Sequence, residues 1–171
     1  ALAVVARGAV EATGCSFTRN NASRGGAVMV DGGEAVFVGC RFEHNNAAEE
    51  GSALFVRSTS GAGVVLEEGT LLLSNSDPSV AVDYGSMIEY RLPAPKGRWI
   101  NAPGGNVQDL AGGVAGDFPY PCAPGVSGSS DSHQDKQNGP QCNALCPEGT
   151  VCPGATAEPA VCPKGGYCPR G

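Results

Sequence analysis

Short apolar segments alternate with glycine and polar turn residues through the first half of the chain. The segment 35–38, Ala-Val-Phe-Val, is one of several runs of Val, Ala, Leu and Phe that are only a few residues long. Runs of this length and composition, bounded by glycine, are typical of β-strands. Glycine is too frequent for helices, and no apolar stripe with a 3.6-residue period is sustained. The pattern therefore predicts strands separated by tight turns.

Two sequence motifs recur in alternation along these segments. The first, Gly-Cys-Ser-Phe-Thr-Arg-Asn, recurs after 25 residues as Gly-Cys-Arg-Phe-Glu-His-Asn and after a further 30 as Gly-Thr-Leu-Leu-Leu-Ser-Asn. The second motif, a glycine-led apolar segment, follows each copy of the first. The first motif lies at 14–20, 39–45 and 69–75, and the second at 25–30, 51–56 and 85–90. Such repetition predicts stacked copies of one structural unit.

The repeat predicts an all-β fold: a right-handed parallel β-helix of about three coils, followed by a small disulfide-rich, irregular C-terminal module. Because side chains alternate between faces of a strand, Cys15 is expected to stack on Cys40, and Phe17 on Phe42, inside the coils. The asparagines that end the first motif are expected to form a turn ladder, since Asn tolerates a left-handed bend. These are Asn20, Asn45 and Asn75. A β-sandwich is the alternative, but it would not require repeated turn residues.

The paired motif resembles the Phe-x-x-Asn and Gly-Gly-Ala-(Ile/Val/Leu) repeats of bacterial polymorphic outer-membrane proteins, which are β-helical surface adhesins. Residues 17–20 with 25–28 fit this pattern, and residues 42–45 with 51–54 fit it with one change. The third copy departs, with Leu72 for Phe and Met87 for Ala. The resemblance covers about residues 1–91 and implies a scaffold or adhesive surface. Because residues 1–5 align with 27–31, we expect further coils to precede the chain in a longer protein.

Proline marks the expected end of the coils. All but one of the 13 prolines follow residue 92, and proline cannot donate a hydrogen bond to an inner strand. The predicted organisation is therefore β-helix coils over 1–92, a Pro/Gly-rich cap and linker over 93–121, and cysteine-rich repeats over 122–171. Trp99 is expected to cover the open last coil, and the alternative is a glycan-binding platform.

Six of the 8 cysteines are concentrated in the C-terminal part of the chain: Cys122, Cys142, Cys146, Cys152, Cys162 and Cys168. This density predicts a disulfide framework formed in an oxidising compartment, with fifteen pairings open. The repeated Cys-Pro-x-Gly sequence over 142–171 resembles the ephrin-receptor-like cysteine-rich module. A zinc site at Cys142 and Cys146 is the alternative, although the neighbouring Pro and Gly favour disulfide loops. Whether Cys15 and Cys40 form a disulfide or remain buried thiols is also open.

Modification, charge and candidate catalytic residues add further expectations. Asn21 begins the chain's N-glycosylation sequon, Asn-Ala-Ser, in a predicted turn. A net charge of -6 argues against nucleic acid as a partner, and no apolar stretch approaches the ~20 residues of a membrane span. Parallel β-helices often host polysaccharide hydrolases, which need paired carboxylates on one face, and lyases, which need carboxylates for calcium together with a basic residue. Glu49-Glu50 and Glu67-Glu68 have no equivalents in neighbouring coils and are assigned to solvated turns. His44 and His133 stand alone. No catalytic residue, metal or cofactor is predicted.

These features predict a non-enzymatic structural or adhesive segment of a large extracellular or cell-surface protein. Its expected partners are other copies or other extracellular proteins of an assembly, such as a filament or surface appendage. The combination of the two modules resembles very large surface proteins of algae and other protists. The alternative is a glycan-binding module that uses exposed aromatic side chains, with Trp99, Tyr84 and Tyr90 as candidates.

Overall fold

A computed structural model describes residues 1–5, 7–57, 62–67, 69–91, 93–102, 107–128 and 137–171. The chain divides into two compact units, and each is described by itself. Unit 1 comprises Ala1–Arg91 with Val107–Phe118, and unit 2 comprises Leu92–Asn106 with Pro119–Gly171. Within these described ranges the regular structure is strand, and no helix is long and apolar enough to cross a membrane.

Unit 1 is a parallel β-solenoid of about three coils. The first coil contains β1 (Leu2–Val5), β2 (Ala9–Thr13), β3 (Ser16–Thr18) and β4 (Asn21–Arg24). The second contains β5 (Val28–Asp31), β6 (Glu34–Val38), β7 (Arg41–Glu43) and β8 (Asn46–Glu50). The third contains β9 (Leu54–Arg57), β10 (Gly63–Glu67) and β11 (Leu71–Leu73), after which β12 (Val80–Val82) and β13 (Met87–Arg91) begin a further turn.

Strands of successive coils pair in parallel and form four sheets. Their orders are β1-β5-β9-β12, β2-β6-β10-β13, β3-β7-β11 and β4-β8. In the third sheet Phe17 pairs with Phe42, and Phe42 pairs with Leu72. The rings of Phe17 and Phe42 are stacked, with centroids 4.8 Å apart and planes 8° apart. The all-β, parallel repeat fold is therefore confirmed, together with the stacking of equivalent residues.

The first coil differs from the interior coils in exposure. Cys40 and Phe42 are fully buried, whereas Phe17 is half-buried and Cys15 is exposed. The cause is that β3 is the edge strand of its sheet, so its side chains are covered by a neighbouring coil on one side. The expectation that Cys15 lies in the interior is wrong, although it stacks where expected.

The prediction that residues 85–90 are the third copy of the second motif is wrong. The structure pairs Val80 of β12 with Leu54 of the second copy, whereas β13, which contains residues 87–90, pairs with β10. Burial explains the true register, because Val80 continues a fully buried column whereas Met87 is exposed. The alignment of residues 1–5 with 27–31 is confirmed by the register of β1 on β5.

The last coil is covered by residues 107–118, which belong to unit 1 although they lie within the predicted linker. Strand Val107–Asp109 pairs antiparallel with β13. Farther along, Phe118 makes an antiparallel bridge to Leu72 and packs its ring on Tyr90, with centroids 5.4 Å apart. Phe118 is fully buried, so this antiparallel segment closes the apolar core at the end of the parallel stack.

Unit 2 consists of short antiparallel strand pairs joined by turns. The pairs are Arg98–Trp99 with Tyr120–Pro121, Val126–Ser127 with Ala144–Leu145, and Thr150–Val151 with Ala160–Val161. Its buried side chains are few and include Ile100, Cys122, Val126, Cys146 and Cys152. Three disulfides lie in this unit, which confirms the disulfide-rich C-terminal region.

Candidate functional site

The predicted asparagines form a continuous ladder of side-chain amides in unit 1. The Asn45 amide donates to the Asn75 Oδ1 at 2.9 Å and to the Phe17 carbonyl at 2.8 Å. Its own Oδ1 accepts from the backbone N–H and the amide of Asn20, at 2.9 and 3.0 Å. Asn45 and Asn75 are buried and Asn20 is half-buried. The ladder therefore joins three coils through hydrogen bonds that lie largely inside the solenoid.

The left-handed bend at these turns is taken by the residue before each asparagine. Arg19 and His44 both have a φ of 53°, and Ser74 has a φ of 50°. The prediction that Asn itself adopts the bend is wrong. The preceding residue turns the backbone, and the Asn amide then points inward to bond the neighbouring coils. His44 is thus a turn residue, while His133 lies outside the described residues.

Arginine side chains pair with carboxylates across the coils. Arg57 contacts Asp31 at 2.7 Å, and these residues are directly paired in β9 and β5. Further pairs between coils in the described part of the chain include Arg24 with Glu49 and Glu50, at 2.7 and 4.0 Å, and Arg91 with Glu67 at 2.6 Å.

The pairs correct the assignment of these glutamates to solvated turns. Glu49 and Glu50 lie in β8 and Glu67 ends β10, where each faces an arginine of a neighbouring coil; Glu68 lies outside the described residues. The partnered side chains remain substantially exposed, so each pair contributes little stability, about 0–1 kcal/mol. What these arginine–carboxylate pairs share is that each links side chains of two adjacent coils.

The six C-terminal cysteines form three disulfides: Cys122–Cys142, Cys146–Cys152 and Cys162–Cys168. The pairing excludes the zinc alternative at Cys142 and Cys146, because their sulfurs are already bonded to other cysteines. Among the described residues, no group of three or more His, Cys, Asp or Glu side chains is arranged to hold a metal ion.

Successive cysteine repeats are joined by the same backbone hydrogen bonds. Gly125 donates its N–H to the Cys152 carbonyl at 2.9 Å, and its own carbonyl accepts from the Cys146 N–H at 2.8 Å. Gly149 makes the equivalent two bonds with the two cysteines of the last repeat, both at 2.9 Å. The glycine of each Cys-x-x-Gly turn therefore fixes the register of the repeat that follows it.

A further repeat without cysteine precedes these and was missed in the sequence. It is 94–97, Ala-Pro-Lys-Gly, in which the Gly97 carbonyl accepts from the Cys122 N–H at 3.0 Å. The Gly97 N–H donates to the Gly128 carbonyl at 2.9 Å, and Arg98 closes the turn onto Pro95 at 3.0 Å. The available signal was the Pro-x-Gly sequence, which is shared with residues 147–149 and 163–165. The cysteine pattern does not predict this repeat, because Ala94 occupies the position of the first cysteine.

The candidate aromatic residues lie in different environments. Trp99 is half-buried in unit 2, where its ring lies 4.9 Å from that of Tyr120 at an angle of 37° and its Nε1 donates to the Pro121 carbonyl at 3.1 Å. Tyr84 is fully exposed. Tyr90 is fully buried and donates its hydroxyl to the Thr70 carbonyl at 3.0 Å, so its assignment as an exposed aromatic is wrong.

Asn21, in the sequon, is the first residue of β4 and is exposed. Its Oδ1 accepts from the Asn46 amide of the next coil at 3.0 Å. The position is thus at the start of an edge strand rather than in a turn. Glycosylation of Asn21 stays a prediction, as does the role of Trp99 as a cap.

Comparison with known proteins identifies no relative: no family model matches the chain, and neither the curated proteins nor the solved structures gave a significant match. The class defined by the fold is a parallel β-solenoid with a disulfide-rich C-terminal region. The likeness to polymorphic outer-membrane protein repeats and to ephrin-receptor-like repeats stays a resemblance of sequence motifs.

Proposed function

We propose that the chain is a non-enzymatic structural or adhesive segment of a large extracellular or cell-surface protein. The observation that carries this proposal is that polar and charged side chains of unit 1 bond neighbouring coils to each other. The buried amides of Asn45 and Asn75 bond neighbouring coils, and Arg57 and Arg91 pair with the carboxylates of neighbouring coils. These amides and ion pairs hold the coils in register. Coils held in register in this way form a stiff scaffold.

The extracellular setting is supported by the cysteine chemistry. Three disulfides in one small unit are typical of proteins that fold in an oxidising compartment. The two motif resemblances favour the same setting, because both repeat types occur in surface proteins. The partners would be other copies of the chain or other extracellular proteins, and the assembly would be a filament or a surface appendage.

The test uses an antibody raised against the folded chain. We expect it to label intact, unpermeabilised source cells and to detect particles much larger than the 17.2 kDa chain in detergent-free extracellular extracts. Immunogold electron microscopy of those particles would then show the antibody on filaments or appendages. An antigen confined to the cell interior, or recovered outside only as a monomer, contradicts the proposal.

A second candidate, glycan binding, rests on the paired rings of Trp99 and Tyr120. These two adjacent rings, inclined at 37° to each other and both half-buried, form an apolar surface on which a sugar ring can stack. The test is binding of the chain to a glycan array. Trp99→Ala is expected to abolish a signal that Tyr84→Ala retains, with the disulfides and circular dichroism of both variants unchanged. Equal binding by both variants excludes this surface.

A further inference from the structure

Cys15 and Cys40 occupy the same position in two adjacent coils. The strands that follow them, β3 and β7, pair in parallel with Ser16 opposite Arg41, and the Arg41 N–H donates to the Cys15 carbonyl at 2.8 Å. The two cysteines are therefore in-register neighbours. Neighbouring strands lie about 4.8 Å apart, which falls within the range of Cα separations that a disulfide spans.

The two side chains also have the same local orientation. Each thiol contacts the backbone carbonyl two residues before it at 3.6 Å: Cys15 contacts Thr13, and Cys40 contacts Val38. The Cys40 sulfur additionally lies 3.3 Å from the Ala12 carbonyl, which belongs to the coil that contains Cys15. The Cys40 thiol is therefore directed toward the first coil, and both sulfurs are present as free thiols.

The third coil carries threonine at this position. Thr70 donates its hydroxyl to the Phe37 carbonyl at 2.8 Å, and Phe37 is paired with Ala12 in the sheet. Thr70 and Cys40 thus make equivalent contacts with the preceding coil. Only the first two coils place one thiol next to another.

Exposure gives the two thiols different roles. Cys15 is exposed, whereas Cys40 is fully buried. Burial also raises the pKa of the Cys40 thiol, which disfavours its thiolate. A reagent in solution therefore meets Cys15 first, and Cys40 is placed to react with whatever forms on Cys15.

We propose that Cys15 and Cys40 are a dithiol that an external disulfide, such as glutathione disulfide, converts into a fourth intrachain disulfide joining the first two coils. The Cys15 thiolate attacks one sulfur of glutathione disulfide, which forms a mixed disulfide and releases one glutathione. The Cys40 thiolate then attacks the Cys15 sulfur and displaces the second glutathione. The chain loses two hydrogens and the oxidant is reduced to two glutathione molecules, so electrons and atoms balance.

The test starts from the chain with its three C-terminal disulfides intact and two alkylatable thiols, treated with glutathione disulfide alone. Intact-mass spectrometry is expected to show loss of two hydrogens with no glutathione retained. Proteolysis should yield a peptide that links residues 15 and 40. Chain isolated with this bond already formed gives the same peptide and supports the proposal equally.

Two variants separate the roles. Cys40→Thr, whose side chain Thr70 already accommodates at the equivalent position, is expected to keep one glutathione on Cys15 because no resolving thiol remains. Cys15→Ser is expected to stay unmodified, since Cys40 is buried. Circular dichroism checks that both variants are folded. Stable glutathione on Cys15 of the unmodified chain, or covalent dimers through Cys15, overturns the proposal.

Discussion

Replacing Asn45 with alanine removes the middle residue of the amide ladder while leaving the backbone turn in place. The side chain takes part in four hydrogen bonds, two that it donates and two that it accepts. The two donated bonds go to Phe17 and Asn75, and the accepted bonds come from the backbone and side chain of Asn20. Alanine can make none of them, so the substitution tests how much the ladder contributes to the stability of unit 1.

The expected loss follows from the number and burial of these bonds. A net contribution of about 1 kcal/mol for each bond gives a loss of about 4 kcal/mol in the free energy of unfolding. Water cannot readily replace the lost partners, because Asn45 is only 1% exposed. The Asn75 Oδ1 keeps one partner, the backbone N–H of residue 45 at 2.9 Å, which prevents a larger loss.

Asn20→Ala is the matched control. It removes the same side chain from the end of the ladder, where Asn20 is half-buried and makes two bonds instead of four. Its amide donates to Asn45, and its Oδ1 accepts an exposed bond from the Ala1 amino group at 2.9 Å. The Asn20 backbone N–H still reaches the Asn45 Oδ1. We therefore expect a loss of about 1–2 kcal/mol.

The assay is urea denaturation followed by far-ultraviolet circular dichroism, with the midpoint and slope fitted for each variant. The reasoning requires Asn45→Ala to lose clearly more free energy than Asn20→Ala at a similar slope. Equal losses would contradict the reasoning, because they would mean that the two additional bonds of Asn45 and its deeper burial add nothing to the stability of unit 1.

Two further substitutions test the turn packing of unit 2 and the buried core of unit 1. Gly97→Ala places a Cβ 2.3 Å from the Ala155 carbonyl oxygen at a φ of +75° and should lower the thermal midpoint of unit 2, followed by tryptophan fluorescence, by much more than Gly165→Ala. Gly165 has the same place in its repeat and a φ of +82° but nothing within 4 Å, so it incurs only the strain of about 1 kcal/mol; equal midpoints would contradict the role of close packing. Burial raises the pKa of the Tyr90 phenol, so the unfolded chain releases this proton first and stability should fall above about pH 10, by at most about 1.4 kcal/mol per pH unit. Tyr90→Phe should remove that part of the pH dependence of the free energy of unfolding, measured by urea denaturation at a series of pH values. If stability falls with pH as steeply in the variant as in the unmodified chain, burial of the Tyr90 phenol is not the cause.

The asparagine ladder illustrates what spacing along the chain can reveal. An amide that must bond its copy in the next coil recurs in every coil, so Asn20, Asn45 and Asn75 could be found from the sequence. The residue with the left-handed backbone could not be found in this way. Arg, His and Ser precede the three asparagines, and they share no side-chain property that marks a positive φ.

The error in the third coil has a different origin. The position that is glycine in the first two coils is occupied by Asp77, and Ser79 stands where the earlier coils have alanine. Residues 85–88 also resemble the glycine-led motif, although they lie at the turn that leads into the next sheet, before and at the start of β13. The two turns have similar sequences, and they are distinguished by burial in the folded chain. Val80 is buried and Met87 is exposed.

Unit 2 has a small apolar core, and its repeats are stabilised in two other ways. Some repeats are closed by disulfides, and one is held by a buried side-chain amide. The repeats at 146–152 and 162–168 are closed by disulfides, each typically worth ~2–4 kcal/mol. Residues 94–97 have no cysteine, but the buried Gln137 amide donates to the carbonyls of Ala94, Pro95 and Arg98 at 3.3, 3.1 and 2.6 Å. A side-chain amide thus holds this turn where its copies are held by sulfur. The amide ladder of unit 1 uses the same chemistry, since the Asn45 and Asn75 amides donate to the backbone carbonyls of Phe17 and Phe42. There the amides add to an apolar stack, whereas in unit 2 the Gln137 amide acts where the apolar core is small.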